Sequence, residues 1–135
     1  MIGLDTNILV YAFDKAYPKK REICKKIIND IFNGKKVGAV TNQILAEFAS
    51  AVTKKIEKPL KKDDAIAIIG AIYFSENWKV FNYSGKTVLE ALRLNKPFWD
   101  SLIIETLKEN NVQEIVTENS KDFENNGLKV FNPLN

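Results

Sequence analysis

The rhythm of the chain limits its fold more than any single residue does. Short apolar runs at Met1–Leu4, Val37–Val40, Trp78–Tyr83, Val112–Val116 and Leu128–Phe131 alternate with longer stretches of helical periodicity. Runs this short, bounded by cap and turn residues, read as strands, and strands alternating with helices form a parallel sheet covered on both faces. The expected fold class is α/β, as one domain over residues 1–135, because no linker, repeat or low-complexity segment interrupts the pattern.

The intervening stretches carry their own punctuation. Tyr17-Pro18 starts a helix whose Ile23, Ile27 and Ile31 recur at i, i+4 and i+8, and Asn33-Gly34 ends it. Thr41 caps a helix with Ile44, Leu45, Phe48, Ala51 and Val52 on its apolar side, which leaves Glu47 on a polar face with Gln43, Ser50 and Lys54. After a break at Lys58-Pro59-Leu60-Lys61-Lys62, Asp63 caps a helix whose Ile66, Ile69, Tyr73, Ile68 and Ile72 are expected mostly in the core. Ser84 opens another. Pro97-Phe98-Trp99-Asp100-Ser101 introduces a helix that points Leu102, Ile103, Ile104 and Leu107 inward, and Thr117 to Phe123 reads as a polar loop.

Composition removes several chemistries. With no histidine, the chain cannot build a Ser/His/Asp or Cys/His hydrolase, a His-ligated zinc site or a histidine-based ribonuclease. Its single cysteine, Cys24, allows neither a disulfide framework nor a zinc site and reads as core filling. A net charge of +3 and a pI near 8.9 permit an anionic partner without requiring one. No stretch is apolar enough to span a membrane and the chain opens on a strand without a leader, so a cytoplasmic location is expected.

What chemistry remains rests on acids. Asp5-Thr6-Asn7 follows the first strand, so Asp5 either caps the next helix or sits beyond the strand end, where open α/β sheets place their ligands. Glu47 lies within two turns of the second strand, Asp100 falls in the first turn of a late helix, and Asn119 and Asp122 follow the fourth strand. Each has a plain structural reading as a cap, a solvated side chain or a partner for the helix dipole. Together they would gather carboxylates whose repulsion near neutral pH is relieved chiefly by a divalent cation, and oxygen ligands favour Mg²⁺ or Mn²⁺ over zinc.

Asp5-Thr6-Asn7 after a strand, Glu47 after the second strand, Phe98-Trp99-Asp100-Ser101 at a helix start and Thr117-x-Asn119-x-x-Asp122-Phe123 resemble, in order and spacing, the PIN-domain ribonucleases, and among them the VapC toxins. The resemblance covers essentially the whole chain. It implies a three-layer α/β/α sandwich with a five-stranded parallel sheet and an endoribonuclease that cuts single-stranded or structured RNA with a metal-activated water. The implied cofactor is Mg²⁺ or Mn²⁺, held by Asp5, Asp100 and Glu47, with Asp122 as a further acid. Some relatives carry an aspartate where this chain has Asn119. Thr6, Asn7, Thr117 and Asn119 are candidates to position water or substrate, and with Asp5 given to the metal, capping passes to Thr6 or Asn7. Lys15, Lys19, Lys20 and Arg21 are candidate RNA contacts, although a basic helix face is commonly just solvated. Trp99 is a candidate base-stacking residue, although core packing is the more usual role for Trp99, Phe98 and Phe123.

The resemblance also implies a cognate antitoxin and a homodimer. A stand-alone PIN nuclease of RNA processing would use the same residues. A Mg²⁺-dependent phosphoryl-accepting signalling or phosphatase domain also places an aspartate after its first strand, but it needs a neighbouring acid pair or Asp-x-Asp where this chain has Asp5-Thr6-Asn7.

Overall fold

A computed structural model describes all 135 residues. Strand β1 (Ile2–Leu4) leads into helices α1 (Thr6–Tyr11) and α2 (Pro18–Phe32), then β2 (Gly38–Thr41). Helix α3 (Asn42–Ser50) continues through one π-helical turn, Ala51–Lys55, before α4 (Lys62–Phe74) and β3 (Trp78–Phe81). Then follow α5 (Gly85–Leu92), α6 (Phe98–Glu109), β4 (Glu114–Val116), α7 (Ser120–Phe123) and β5 (Lys129–Phe131).

All five strands pair in parallel, in the order β3-β2-β1-β4-β5. Right-handed crossovers then set the layers. The chain steps from β1 to β2 and β3 in one direction, so α1 to α4 cover one face. It returns across the sheet to β4 and β5, so α5 and α6 cover the other, giving the three-layer sandwich. The packing agrees: α1 touches α2 and α3, α3 touches α4, and α6 touches α5 and α7. Leu4, Ile8, Phe48, Ile104 and Ile115 are wholly buried in the core between these layers.

Two glycines let the layers close. A Cβ on Gly3 would lie 2.9 Å from Leu107 of α6, and one on Gly38 would lie 2.8 Å from the Trp78 ring and 2.9 Å from Ile31 of α2. The indole is buried and packed against Phe32, so it has no free path away. Gly38→Ala is expected to destabilise the fold by about 1–3 kcal/mol through overpacking, read as a lower urea midpoint at unchanged slope.

Several local expectations change in the structure. The inward stripe of α2 is Cys24, Ile28 and Ile31, while Ile23 is 39% exposed, because the stripe that meets the sheet runs one position further along. Cys24 is a free, buried thiol pushed up to about 11 by burial, hence inert core filling. Helix α4 is apolar on all sides, so periodicity could not choose its inward face. Small Ala65 and Ile72 turn in, and Ile66, Tyr73 and Phe74 stay exposed. Asp63 is not the cap: Lys61 holds that position and Asp63 lies in the first turn, where its charge suits the helix dipole. The expected polar loop after β4 contains the single helical turn α7. Thr41 and Ser84 cap their helices with side-chain hydrogen bonds to Ile44 and Thr87. No helix is long and apolar enough to cross a membrane.

Candidate active site: an acidic cavity at the switch point

The sheet order reverses direction between β1 and β4, and the crevice beyond the carboxyl ends of such a strand pair is where open α/β sheets bind ligands. Asp5 follows β1 and Thr117 follows β4, and the Thr117 hydroxyl donates across this crevice to Asp5 Oδ2 at 2.7 Å. The Asp5 backbone N–H extends the pairing by donating to the Val116 carbonyl at 3.0 Å.

Asp5 is only 4% exposed and its carboxylate is held from several sides. Oδ1 accepts from the Thr6 N–H at 2.7 Å, and Oδ2 accepts from Asn7 Nδ2 at 3.3 Å as well as from Thr117. Asp5 itself is therefore the N-cap of α1, which corrects the expectation that Thr6 or Asn7 takes that role. The cap fixes the carboxylate at the strand end, so the capping and site readings of Asp5 are compatible. Burial raises its pKa, opposed by the Thr117 and Thr6 hydrogen bonds and assisted by the charges of Glu47 and Asp122.

A cavity of about 410 Å³ opens beside Asp5, lined also by Thr6, Asn7, Glu47, Asp100 and Asn119. Glu47 reaches in from α3. Its Oε1 accepts from the Thr6 hydroxyl at 3.2 Å and from Gln43 Nε2 at 3.3 Å. Asp100, in the first turn of α6, is half-buried. Burial first, then the charges of Asp5, Asp122 and Glu47, and a hydrogen bond with Asp122 that favours the protonated form raise its pKa to about 6. Asp122 does not line the cavity, but its charge acts on both Asp5 and Asp100. Thr117 lies behind the cavity wall, wholly buried, where its Oγ1 also accepts from the Asn119 N–H at 3.0 Å.

The basic candidates behave differently from one another. Lys15 and Lys19 are exposed outside the cavity. Lys20 is engaged: its Nζ donates to Glu118 Oε2 at 2.7 Å and to the Tyr11 hydroxyl at 3.3 Å. Arg21 is half-buried, with its Nε enclosed and unpartnered. Trp99 is 59% exposed, so core packing does not account for it, whereas Phe123 is wholly buried and Phe98 half-buried.

The structure adds residues that spacing did not single out. Tyr11, Asp14 and Tyr17 line the cavity. Gln43, read as part of a solvated face, is 6% exposed and ties α3 to α6 by donating to the Trp99 carbonyl at 3.0 Å. Its position one helical turn before Glu47 was the available signal. Glu118 was detectable only through Lys20 and Tyr11, which lie far from it in sequence. Their hydrogen bonds hold its carboxylate below the usual range although burial opposes them.

The chemistry of the donor set is that of a hard-cation site. Asp5, Glu47 and Asp100 offer only oxygen, and no lysine or arginine lines the cavity to neutralise them. No three acids are already grouped to hold an ion. Burial first, and then the charges of neighbouring acids, raise the pKa values of Asp5 and Asp100, and a cation held between such acids would offset both effects.

Comparison with known proteins agrees with the architecture. The chain is similar to the VapC20 toxin of Mycobacterium tuberculosis, described as cleaving the sarcin-ricin loop, at 14% identity and a TM-score of 0.64 over 85% of this chain and 87% of that one. It is similar to a toxin-antitoxin complex from Klebsiella pneumoniae at 17% identity and a TM-score of 0.69, with 98% of each chain covered. VapBC2 of Rickettsia felis, bound to a fragment of its promoter DNA, is 22% identical with a TM-score of 0.66 and the same 98% coverage of both chains. At these identities the likeness establishes the fold. No curated protein matches by sequence. The PIN domain family profile matches residues 2–127, nearly the whole chain, and this chain therefore belongs to the PIN-domain family.

Proposed function

We propose that the protein is a Mg²⁺- or Mn²⁺-dependent endoribonuclease, and that it is the toxin of a toxin-antitoxin pair. The observation that carries this reading is the convergence of Asp5, Glu47 and Asp100 on one cavity at the switch point of a PIN fold, with no basic side chain among them. Asp5 and Asp100 would hold the ion, Glu47 would complete the set, and Asp122 would act on it through Asp100. Bound there, the ion would offset charge on the scissile phosphate and make a water molecule acidic enough to act as nucleophile.

The chain's own groups supply the rest. Glu47 Oε2 accepts no hydrogen bond and is available to orient the attacking water or take its proton. Thr6 steadies Glu47, Asn7 and Thr117 steady Asp5, and Asn119 stands on the wall where it can bond water or phosphate. Lys15 and Lys19 are free to meet the RNA backbone, and exposed Trp99 to meet a base. Asp5 is poorly suited to accept a phosphoryl group, because both its oxygens are already hydrogen-bonded and it is nearly buried.

The toxin reading is supported by the solved toxin-antitoxin complexes that share this fold. A partner would find apolar surface on α4, where Ile66, Tyr73 and Phe74 are 67%, 61% and 83% exposed, and a second copy of the chain could use the same kind of surface. The direct test is a panel of single-stranded and hairpin RNAs incubated with Mg²⁺, Mn²⁺ or EDTA, with the product ends identified. Attack by water with departure of the 3′-oxygen, the outcome the PIN-domain resemblance suggests, predicts 5′-phosphate and 3′-hydroxyl ends and no cleavage in EDTA. Products ending in a 2′,3′-cyclic phosphate would contradict it.

A further inference from the structure

Tyr17 stands at the mouth of the acidic cavity and also lines an adjoining groove with Ala16, Pro18, Lys19 and Lys20. It is 49% exposed and precedes α2 without making a capping hydrogen bond. A side chain so placed is ordinarily free to turn, but this one is braced. Its backbone N–H donates to the Asp14 carbonyl at 3.3 Å, and the Asp14 carboxylate closes the same turn by accepting from the Ala16 N–H at 3.0 Å. The ring meets Tyr11 edge-on, with centroids 5.5 Å apart and planes at 79°.

The Lys20 ammonium lies 5.5 Å from the Tyr17 centroid and 4.7 Å from that of Tyr11. Lys20 and Tyr11 are in turn fixed by Glu118, which accepts from each at 2.7 Å. The Lys20 ammonium is thus already paired within the chain by Glu118 and Tyr11. What this network presents outward, next to the carboxylates, is an aromatic ring.

We infer that Tyr17 is a stacking subsite for one unpaired nucleobase flanking the scissile phosphate, an assignment that rests on the ribonuclease reading above. The chemistry favours a base over any charged group. The ring carries no charge with which to hold a phosphate, whereas a nucleobase is neutral and its π-face stacks on an aromatic ring whatever its identity. Because the ring is already oriented, little ordering entropy is lost on binding. A base can reach it only when unstacked from its neighbours, so the subsite selects single strands, loops and bulges over duplex.

The test is binding of a short fluorescent single-stranded RNA, intact or with one abasic position moved along it, to protein carrying Asp100→Asn so that the RNA survives. Mg²⁺ is present, and Tyr17 is intact or changed by Tyr17→Phe or Tyr17→Leu. With Tyr17 or Tyr17→Phe, one abasic position is expected to weaken binding by roughly tenfold, the size typical of one lost base-aromatic stack. Tyr17→Leu keeps the bulk without the π-face. It should bind intact RNA roughly tenfold more weakly and no longer sense that abasic position.

Equal abasic penalties in all three proteins, or no RNA binding, would overturn the assignment. Cleavage by the unmodified protein is scored separately. Metal-dependent cleavage without this coupling removes the subsite alone, and coupling without cleavage removes the nuclease reading alone.

Discussion

Asp100→Asn is expected to cost RNA cleavage more than about a hundredfold while making the metal-free protein more stable at about pH 8. Loss of activity follows if Asp100 is a metal ligand. The gain in stability follows from its surroundings: burial, together with the charges of Asp5, Asp122 and Glu47, lifts its pKa from 3.8 to about 6. The sign is that of a carboxylic acid raised on folding. Its contribution is fully present below about pH 4 and is lost as pH rises through about 6, above which the folded state carries an ionised carboxylate among others.

Taken whole, the displacement corresponds to about 3 kcal/mol, but Asp100 is half exposed and solvent screening leaves about 1 kcal/mol. The amide keeps the side chain's size and removes the charge. Metal-free Asp100→Asn should therefore melt about 4 °C higher than the parent at about pH 8, and at about the same temperature near pH 4. Saturating Mn²⁺ should narrow or reverse the difference, because only the parent gains an ion between its acids. Equal melting temperatures at both pH values in EDTA would show that the acids do not strain the site.

Thr117→Val is expected to damage activity from behind the cavity wall. The substitution preserves volume but removes the hydroxyl that donates to Asp5 Oδ2 at 2.7 Å and accepts from the Asn119 N–H at 3.0 Å. Thr117 is wholly buried, so water does not readily replace either bond, and the expected loss of stability is about 1–3 kcal/mol. The same hydroxyl also lowers the Asp5 pKa against burial. Without it that pKa rises further, the ionised fraction at a given pH falls, and the acid limb of the pH-rate profile should move to higher pH. Activity should recover as pH is raised, a recovery that would not occur if Thr117 only filled space. A profile unchanged in position would leave Thr117 with a packing role alone.

The five strands and the longer helices between them were legible in the sequence because apolar periodicity tracks burial, and the parallel sheet follows from their alternation, whereas the single turn α7 lay in a stretch that read as a polar loop. The inward face of α4 was not legible either. A helix apolar on all sides has no stripe to read, so the inward turn of Ala65 and Ile72 and the outward turn of Ile66, Tyr73 and Phe74 depend on tertiary packing. At the cavity, Asp5, Glu47 and Asp100 each had a plain structural reading alone, and it was their joint placement near strand ends and helix starts, with the resemblance of those motifs to PIN domains, that singled them out. The supporting groups did not stand out. Thr117 reaches Asp5 and Glu118 reaches Lys20 across sheet pairing and crossovers that spacing along one chain does not encode. Asp5 also shows that one carboxylate can cap a helix and line a cavity.

The central claim is that Asp5 and Asp100 hold a divalent ion on which RNA cleavage depends. Its most direct test is the rate of cleavage of one RNA against Mn²⁺ concentration for the parent, Asp5→Asn and Asp100→Asn, with EDTA as the zero. The parent should show a saturable rise from no activity, and neither variant should recover more than about a hundredth of the parent's rate at any concentration. Cleavage by the parent that persists in EDTA, or variants that reach the parent's rate, would contradict it.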